Sequence, residues 1–332
     1  MNLTKGLFLM ILIISTIITV SANNWLGMWM GLEMNLMAFI PLISKSKDKK
    51  SSQAMMIYFL TQSIGSITLL FSIMINSLMF MSPLMINELT KMMIMVGIMI
   101  KVGAAPFHFW LPEVMANLSW TKCMILMTWQ KIAPLTILSN IILNNWFLYV
   151  VIIMSAIVGG VGGLNQTSLR KILAYSSINH LGWMMMFMST NSSWYKYLFI
   201  YSILVIMICS LMKKNNSLFI NQMISSSPSL MEKLTFTIAL LSIGGLPPFL
   251  GFLPKWMVIQ SMINSEMYLL LTLMMLCSLL TLFYYLRIMT AYILSYSAIN
   301  KWMSTPMPKN FMLFSFLLIN LTLPVFMITG FF

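Results

Sequence analysis

The sequence predicts an all-α polytopic membrane protein with about eleven transmembrane helices, two of them broken, arranged as an inverted repeat. Of its 332 residues, 60% are hydrophobic and only 8% are charged, which is typical of a bundle surrounded by lipid and not of a soluble domain. Apolar runs follow one another with polar breaks between them. Clusters of glycine and proline interrupt two of these runs, and such clusters bend or break helices.

Eleven apolar runs are long enough to be transmembrane helices of one domain that covers residues 1–332. They lie at 3–20, 24–43, 54–81, 90–118, 123–142, 146–164, 171–190, 194–212, 233–263, 266–294 and 310–330. Loops are predicted at 44–52, 213–229 and 295–309. The first run follows Lys5 and also has the pattern of a secretory signal peptide. We favour a retained first helix because ten further runs follow it.

Lysine and arginine are divided unevenly between the two ends of the predicted helices. One end has Lys91 and Lys196 beside Glu88 and Glu266. The other end, which includes the N-terminus, has Lys5, Lys45, Lys47, Lys49, Lys50, Lys122, Arg170, Lys171, Lys213, Lys214, Lys233, Lys301 and Lys309. The positive-inside rule then places the N-terminus in the matrix, or in the cytoplasm of a bacterium. The net charge of +13 therefore indicates topology and lipid head-group contacts, not nucleic-acid binding.

Amino-acid usage indicates that the gene is organellar. The chain has 38 methionines, and packing explains so many poorly because leucine fills the same volume with a better-defined shape. AT-rich DNA in which ATA encodes methionine gives this usage, and animal mitochondrial genomes have both properties. We therefore expect a protein of the mitochondrial inner membrane. A gene in the standard nuclear code would contradict this inference.

The two interrupted runs are the fourth and the ninth. Residues 101–106 are Lys-Val-Gly-Ala-Ala-Pro, and residues 244–248 are Gly-Gly-Leu-Pro-Pro. A helix broken at membrane depth exposes backbone groups that need protein or water around them, so breaks mark cavities and transport paths. An offset of five runs reverses the direction of the chain in the membrane. We therefore predict inverted halves at about 3–142 and 146–294, with the helix at 310–330 outside the repeat.

Four charged residues lie near the middle of apolar runs, namely Glu33, Lys101, Lys131 and Lys255. A charge at the bilayer centre costs about 2.5–3.5 kcal/mol, so such residues mark functional sites by default. The repeat matches Lys101 with Lys255 and Glu33 with His180. A Glu33–Lys101 pair makes the proton affinity of each residue depend on the other, and Lys131 is predicted to carry a proton. The structural alternatives are a static buried pair and a Lys255 that snorkels to the interface.

The two histidines are further relay candidates. His108 follows the first break, and His180 ends the polar stretch 176–180 within the seventh run. Histidine titrates near neutral pH and suits proton relay, but a lone membrane histidine is as often hydrogen-bonded to a neighbour with no further role.

Other chemistry leaves no pattern in the sequence. The cysteines are isolated and have no histidine at ligand spacing, so neither a disulfide nor a metal site is expected. The glycine-rich stretch 159–163 lacks the Lys-Ser/Thr of a phosphate loop, and close helix packing is the better explanation. No haem, iron–sulfur or flavin signature is present.

Taken together, these residues resemble the antiporter-like membrane chains of NADH:ubiquinone oxidoreductase, respiratory complex I. The resemblance covers essentially the whole chain, and its motifs are specific in combination. They lie at 25–35, 101–110, 128–131, 163–183 and 244–256. The resemblance implies that Glu33 is the acid paired with Lys101 on the first broken helix and that Lys131 is the central lysine. It further implies that Lys255 is the lysine of the second broken helix and that His108 is the histidine after the first break.

The resemblance also implies a function and a set of partners. The chain is expected to translocate protons without a redox centre, since NADH, FMN, iron–sulfur clusters and ubiquinone are bound by other subunits. The expected neighbours are chains 4 and 4L, the lateral helix of chain 5, accessory subunits and lipids including cardiolipin. A stand-alone cation/proton antiporter and a purely structural membrane spacer are the alternatives.

Overall fold

The computed structural model describes residues 3–44, 49–78, 83–141, 146–190, 192–225, 230–294 and 311–322. The predicted loop at 295–309 and part of the predicted final helix lie outside these residues, as do Lys45, Lys47, Lys301 and Lys309. By contacts, the chain divides into two compact units, Met1–Val151 and Ile152–Phe332.

The described residues form fifteen α-helices. Those that begin in the first unit are α1 (Leu3–Ser21), α2 (Trp25–Ile43), α3 (Lys49–Leu78), α4 (Pro83–Val102), α5 (Trp110–Asn117), α6 (Trp120–Met127), α7 (Trp129–Ile141) and α8 (Trp146–Gly162). The second unit has α9 (Leu169–Ser189), α10 (Trp194–Lys214), α11 (Ile220–Ser225), α12 (Leu230–Gly244), α13 (Phe252–Asn264), α14 (Tyr268–Leu294) and α15 (Phe311–Asn320).

Among the described residues, five helices are long and apolar enough to cross a membrane. They are Leu3–Ser21, Trp25–Ile43, Lys49–Asn76, Trp194–Lys214 and Tyr268–Leu294. Large apolar side chains such as Leu7, Ile17 and Phe283 are exposed on these helices, as expected where lipid replaces water. The protein is therefore an all-helical membrane protein.

Small residues bring helices of the first unit close together. A Cβ atom on Gly31 of α2 would lie 3.2 Å from the carbonyl oxygen of Ser15 on α1. Cβ atoms on Gly65 of α3 and Gly97 of α4 would each lie 3.1 Å from the other residue's carbonyl oxygen. Such contacts are typical of membrane helices, whose association depends on close packing.

Glycines have the same role in the second unit, where the sequence predicts close packing at 159–163. A Cβ atom on Gly159 would lie 2.6 Å from the backbone nitrogen of Asn179 on α9, and one on Gly160 would lie 3.2 Å from the carbonyl oxygen of Cys277 on α14. The C-terminal part of α8 is therefore packed directly against both helices.

Two segments differ from the sequence prediction. The run at 123–142, expected to be one helix, is divided into α6 and α7 at Thr128, whose hydroxyl donates to the Met124 carbonyl oxygen at 2.8 Å. The predicted loop at 213–229 contains the short helix α11. The Ile220 N–H at its start donates to the Thr167 carbonyl oxygen at 3.2 Å, so this segment is held against the chain that precedes α9.

Candidate functional site

Glu33 on α2 and Lys101 in the last turn of α4 form a charged pair inside the first unit. The Lys101 Nζ atom lies 3.9 Å from Glu33 Oε1, which is too far for a hydrogen bond and close enough for a strong charge interaction. The Lys101 side chain is 2% exposed, whereas that of Glu33 is 25% exposed. The sequence predicted this pair, and the structure brings its two members together.

Lys101 lies in the last turn of α4, and hydrogen bonds from neighbouring groups stabilise this end of the helix. Gly103 has a φ of +77°, a conformation that glycine adopts readily, and its N–H donates to the Met99 carbonyl oxygen at 2.9 Å. The Gln62 side-chain amide donates to the Lys101 carbonyl oxygen at 3.1 Å. The Trp110 indole N–H donates to the Ile100 carbonyl oxygen at 3.1 Å. Side chains thus satisfy carbonyl groups that have no partner within the helix.

Lys131 on α7 is buried and lines the same cavity as Lys101. The cavity has a volume of about 20 Å³, and about 10–15 Å³ suffices for one water molecule. Its polar walls are Asn35, Tyr58, Gln62, Gln130 and the two lysines. One water molecule in this cavity would therefore have polar partners on several helices.

Two amide side chains join the helices around the cavity. The Gln130 Nε2 atom on α7 donates to Asn35 Oδ1 on α2 at 3.0 Å, and the Tyr58 hydroxyl on α3 is 3.5 Å from Gln130 Oε1. Sequence reasoning did not select these residues, although Gln130 precedes Lys131 and Asn35 lies two positions after Glu33. Their signal was the presence of polar side chains in otherwise apolar runs.

On its other side, Glu33 borders a groove between α1 and α2. The groove has a volume of about 290 Å³ and is lined by Phe8, Ile11, Glu33, Met34, Met37 and Ala38. The Glu33 carboxylate therefore lies between an apolar groove at the surface of the unit and a lysine in its interior.

His108 does not line the cavity. It lies between α4 and α5, where its Nδ1 atom is 3.2 Å from the Pro106 carbonyl oxygen and its ring is 4.3 Å from that of Phe109. The described contacts of His108 are therefore with residues next to it in the sequence, and not with Lys101 or Lys131.

Lys255 on α13 is buried against the end of α12. Its Nζ atom donates to the Gly244 carbonyl oxygen at 2.6 Å and lies 6.0 Å from the centre of the Trp183 ring. Carbonyl groups at a helix C-terminus favour a cation. Gly245 has a φ of +81°, and a Cβ atom there would lie 2.8 Å from Lys255 Nζ. This ammonium group is held inside the unit and does not snorkel.

His180 on α9 is buried among aromatic residues of α10. Its Nδ1 atom lies 2.8 Å from the Tyr197 hydroxyl, and its ring centre lies 4.8 Å from that of Tyr201. Trp183, which faces Lys255, is one helical turn further along α9. His180 and Lys255 are thus both associated with one face of α9.

These observations define the class of protein. It is a helical membrane bundle that holds an acid–lysine pair and a second buried lysine in its interior. A sequence model described as NADH:quinone oxidoreductase/Mrp antiporter, transmembrane, matches residues 22–281. The chain belongs to this family.

Curated relatives and a solved structure agree with this membership. "NADH-ubiquinone oxidoreductase chain 2" of Locusta migratoria is 47% identical over 92% of this chain and 90% of the relative. The protein of the same name from Lemur catta is 40% identical over 96% of each chain. A chain of respiratory complex I from Thermus thermophilus with bound aureothin has the same fold. Its TM-score is 0.77 at 23% identity, over 88% of this chain and 71% of that one.

Proposed function

We propose that this chain is the chain 2 subunit of the membrane arm of NADH:ubiquinone oxidoreductase and that it moves protons through Glu33, Lys101 and Lys131. The similarity to chain 2 proteins along nearly the whole chain supports the subunit assignment. One observation supports the proton path above all: Lys101 and Lys131 line a single small cavity, and Glu33 lies 3.9 Å from Lys101.

The proposed mechanism is electrostatic. A change of charge near Glu33 alters its interaction with Lys101, and the proton affinities of coupled groups depend on one another. A proton released by the Lys101 ammonium group can pass to a water molecule in the cavity while that water gives a proton to the Lys131 amine. The net change is the transfer of one proton from Lys101 to Lys131, and the water molecule is left as it was. The proton then leaves through Lys255 or toward a neighbouring subunit.

The finer topology is part of the proposal. The chain crosses the mitochondrial inner membrane eleven times, with its N-terminus in the matrix, and α4–α5 and α12–α13 are the two broken helices. The similar ends of α4 and α12 support an inverted repeat, since each is followed by a glycine of positive φ, Gly103 and Gly245. In both, the N–H groups of two successive residues donate to one carbonyl oxygen, that of Met99 or Leu241.

The proposed partners are other subunits of the complex, among them chains 4 and 4L, the lateral helix of chain 5 and accessory subunits. NADH, FMN, the iron–sulfur clusters and ubiquinone are bound elsewhere, and lipids including cardiolipin contact this chain. The groove beside Glu33 would allow a charge on a neighbouring chain to act on the pair.

Replacement of Lys131 by methionine tests the proton path. In complexes reconstituted into vesicles, Lys131→Met is expected to lower the protons pumped per NADH oxidised while assembly on a native gel is unchanged. Lys50→Met, on the exposed start of α3, is the matched control. An assembled Lys131→Met complex that pumps at the parental ratio would exclude the path and favour a structural spacer.

The family description also includes Mrp antiporters, so a stand-alone cation/proton antiporter is the second candidate. The two functions differ in assembly. A subunit migrates on a native gel with NADH dehydrogenase activity in a very large complex. An antiporter migrates in a small band without that activity and transports Na⁺ or K⁺ without NADH.

A further inference from the structure

The Glu33–Lys101 pair is not held together by a hydrogen bond of its own. Its charged atoms are 3.9 Å apart, and within the described residues neither Glu33 Oε1 nor Lys101 Nζ has a hydrogen-bond partner. The separation of the two charges is therefore set by the helices that carry them, α2 and α4. Because the energy of a charge interaction falls with distance, a movement of either helix changes how strongly the two residues act on each other.

Helix α3 contacts Lys101 through its backbone and through a side chain. A Cβ atom on Gly65 would lie 3.0 Å from Lys101 Cγ, so the α3 backbone lies directly against the lysine side chain. Three residues earlier on α3, the Gln62 side-chain amide donates to the Lys101 carbonyl oxygen at 3.1 Å. The position of Lys101 is therefore fixed relative to this part of α3.

Trp29 connects the same part of α3 to the helix that carries Glu33. Its indole N–H donates to the Ser66 carbonyl oxygen at 3.2 Å, and Ser66 directly follows Gly65 in the chain. Trp29 lies four residues before Glu33 on α2, which makes the two side chains neighbours on one face of the helix. The indole hydrogen bond thus holds the Glu33 region of α2 against the part of α3 that contacts Lys101.

The indole of Trp29 is suited to this connection. Tryptophan has one N–H donor and no acceptor, and its rigid ring is placed by only two side-chain torsions. Tryptophan is also enriched at membrane interfaces, where it lies at the level of the head groups. The Trp29 N–H is instead directed into the bundle, because its acceptor belongs to Ser66, a buried residue within α3.

We propose that Trp29 is a positioning residue that sets the distance between Glu33 and Lys101. The inference rests on the proposed function, in which the interaction of this pair controls proton transfer to Lys131. Without the indole N–H, α2 is free to move relative to α3, and the Glu33 carboxylate moves with it. Trp29 itself neither accepts nor releases a proton.

The test combines Trp29→Phe with Glu33→Gln in complexes reconstituted into vesicles. Trp29→Phe removes the N–H and keeps an aromatic ring, and it is expected to lower the protons pumped per NADH. In the Glu33→Gln background the same change is expected to cause no further loss, because the charge that Trp29 positions is already absent. Trp146→Phe, at an exposed tryptophan that begins α8, is the matched control and should pump at the parental ratio.

The pH profile of the pumping ratio distinguishes positioning from packing. A change in the Glu33–Lys101 distance alters the protonation equilibria of the pair, so the ratio in Trp29→Phe should depend on pH differently from the parental ratio. Tyr58 and Lys131, the other titratable residues that line the cavity with Lys101, are unchanged in these variants. A packing defect would lower the ratio by the same fraction at every pH. The amount of complex on a native gel and NADH oxidation with an uncoupler are measured for every variant.

Trp29→Tyr takes the place of Trp29→Phe if the latter does not assemble, since its larger side chain fills more of the volume of the indole. Failure of both variants to assemble would show that Trp29 is required for the fold. That result would overturn a role restricted to the Glu33–Lys101 pair.

The remaining outcomes separate the positioning role from the proposed function. If Glu33→Gln lowers the ratio and assembled Trp29→Phe keeps the parental ratio and pH profile, the positioning role is refuted and the proposed function stands. A loss in Trp29→Phe that is equal at every pH, or that adds to the loss in Glu33→Gln, also refutes the positioning role. If Glu33→Gln keeps the parental ratio, the proposed function is refuted and the positioning role with it.

Discussion

Glu33 and Lys101 are 3.9 Å apart, yet one faces the surface of its unit and the other the interior. Glu33 borders the groove between α1 and α2, whereas Lys101 lines the cavity that it shares with Lys131. A charge outside the unit can therefore act on a buried lysine through a single carboxylate. At about 4 Å and an effective dielectric constant of about 20, two unit charges interact by about 4 kcal/mol, which is enough to change a protonation equilibrium.

Removal of the Glu33 charge is expected to uncouple this chain. Glu33→Gln keeps the shape of the side chain and abolishes the charge interaction with Lys101, so the protons pumped per NADH should fall by the same fraction as in Lys131→Met. Pumping by reconstituted vesicles measures the ratio. Glu113→Gln, at an exposed position on α5, is the control, and an assembled Glu33→Gln complex with the parental ratio would contradict the prediction.

Gly65 is expected to be a positioning residue for Lys101. A Cβ atom at Gly65 would lie 3.0 Å from Lys101 Cγ and 3.1 Å from the Gly97 carbonyl oxygen, so Gly65→Ala must move α3, α4 or the lysine. Overpacking of this kind costs about 1–3 kcal/mol. We expect a complex that dissociates at a lower temperature and pumps fewer protons per NADH. Gly6→Ala, where nothing lies within 4 Å, should leave both measurements unchanged.

The sequence predicted the charged part of the site better than its neutral part. Glu33, Lys101 and Lys131 are conspicuous because each is costly in an apolar run. The amides of Asn35 and Gln130 are less conspicuous, and their hydrogen bond depends on how α2 and α7 pack. The sequence alone does not determine how these two helices pack, so it does not predict this hydrogen bond. His108 was selected by its place after a break, but its local contacts gave no signal in the sequence.

Helix boundaries were likewise predicted well where the sequence marks them and missed where it does not. The apolar runs at 3–20, 24–43 and 194–212 coincide with α1, α2 and α10 within a few residues. The interruption at Thr128 was missed because neither glycine nor proline marks it. It depends on a side-chain hydrogen bond to Met124, and threonine can make that bond in an uninterrupted helix as well.

The Asn35–Gln130 hydrogen bond is expected to stabilise the first unit and to shape the cavity. Gln130→Leu leaves the buried Asn35 oxygen without this donor, which costs about 1–3 kcal/mol. The double variant Asn35→Leu/Gln130→Leu has no such oxygen and should recover part of that stability. The single variant Asn35→Leu completes the double-mutant cycle, and the dissociation temperature of the complex on native gels is measured for all three variants. Pumping should be reduced in all three, since each removes at least one polar wall of the cavity. A loss of stability in the double variant equal to the sum of the two single losses would exclude the coupling.

Gly244 and Gly245 offer a matched pair of variants at Lys255. Gly245 has a φ of +81°, which costs an L-residue about 1–2 kcal/mol, and a Cβ atom there would lie 2.8 Å from Lys255 Nζ. At Gly244 the nearest atom to an added Cβ is 3.7 Å away, and the carbonyl that holds the ammonium group is retained. Gly245→Ala should therefore destabilise the complex and lower the protons pumped per NADH, whereas Gly244→Ala should have little effect on either. Equal effects of the two changes would show that the position of the Lys255 ammonium group does not limit proton transfer.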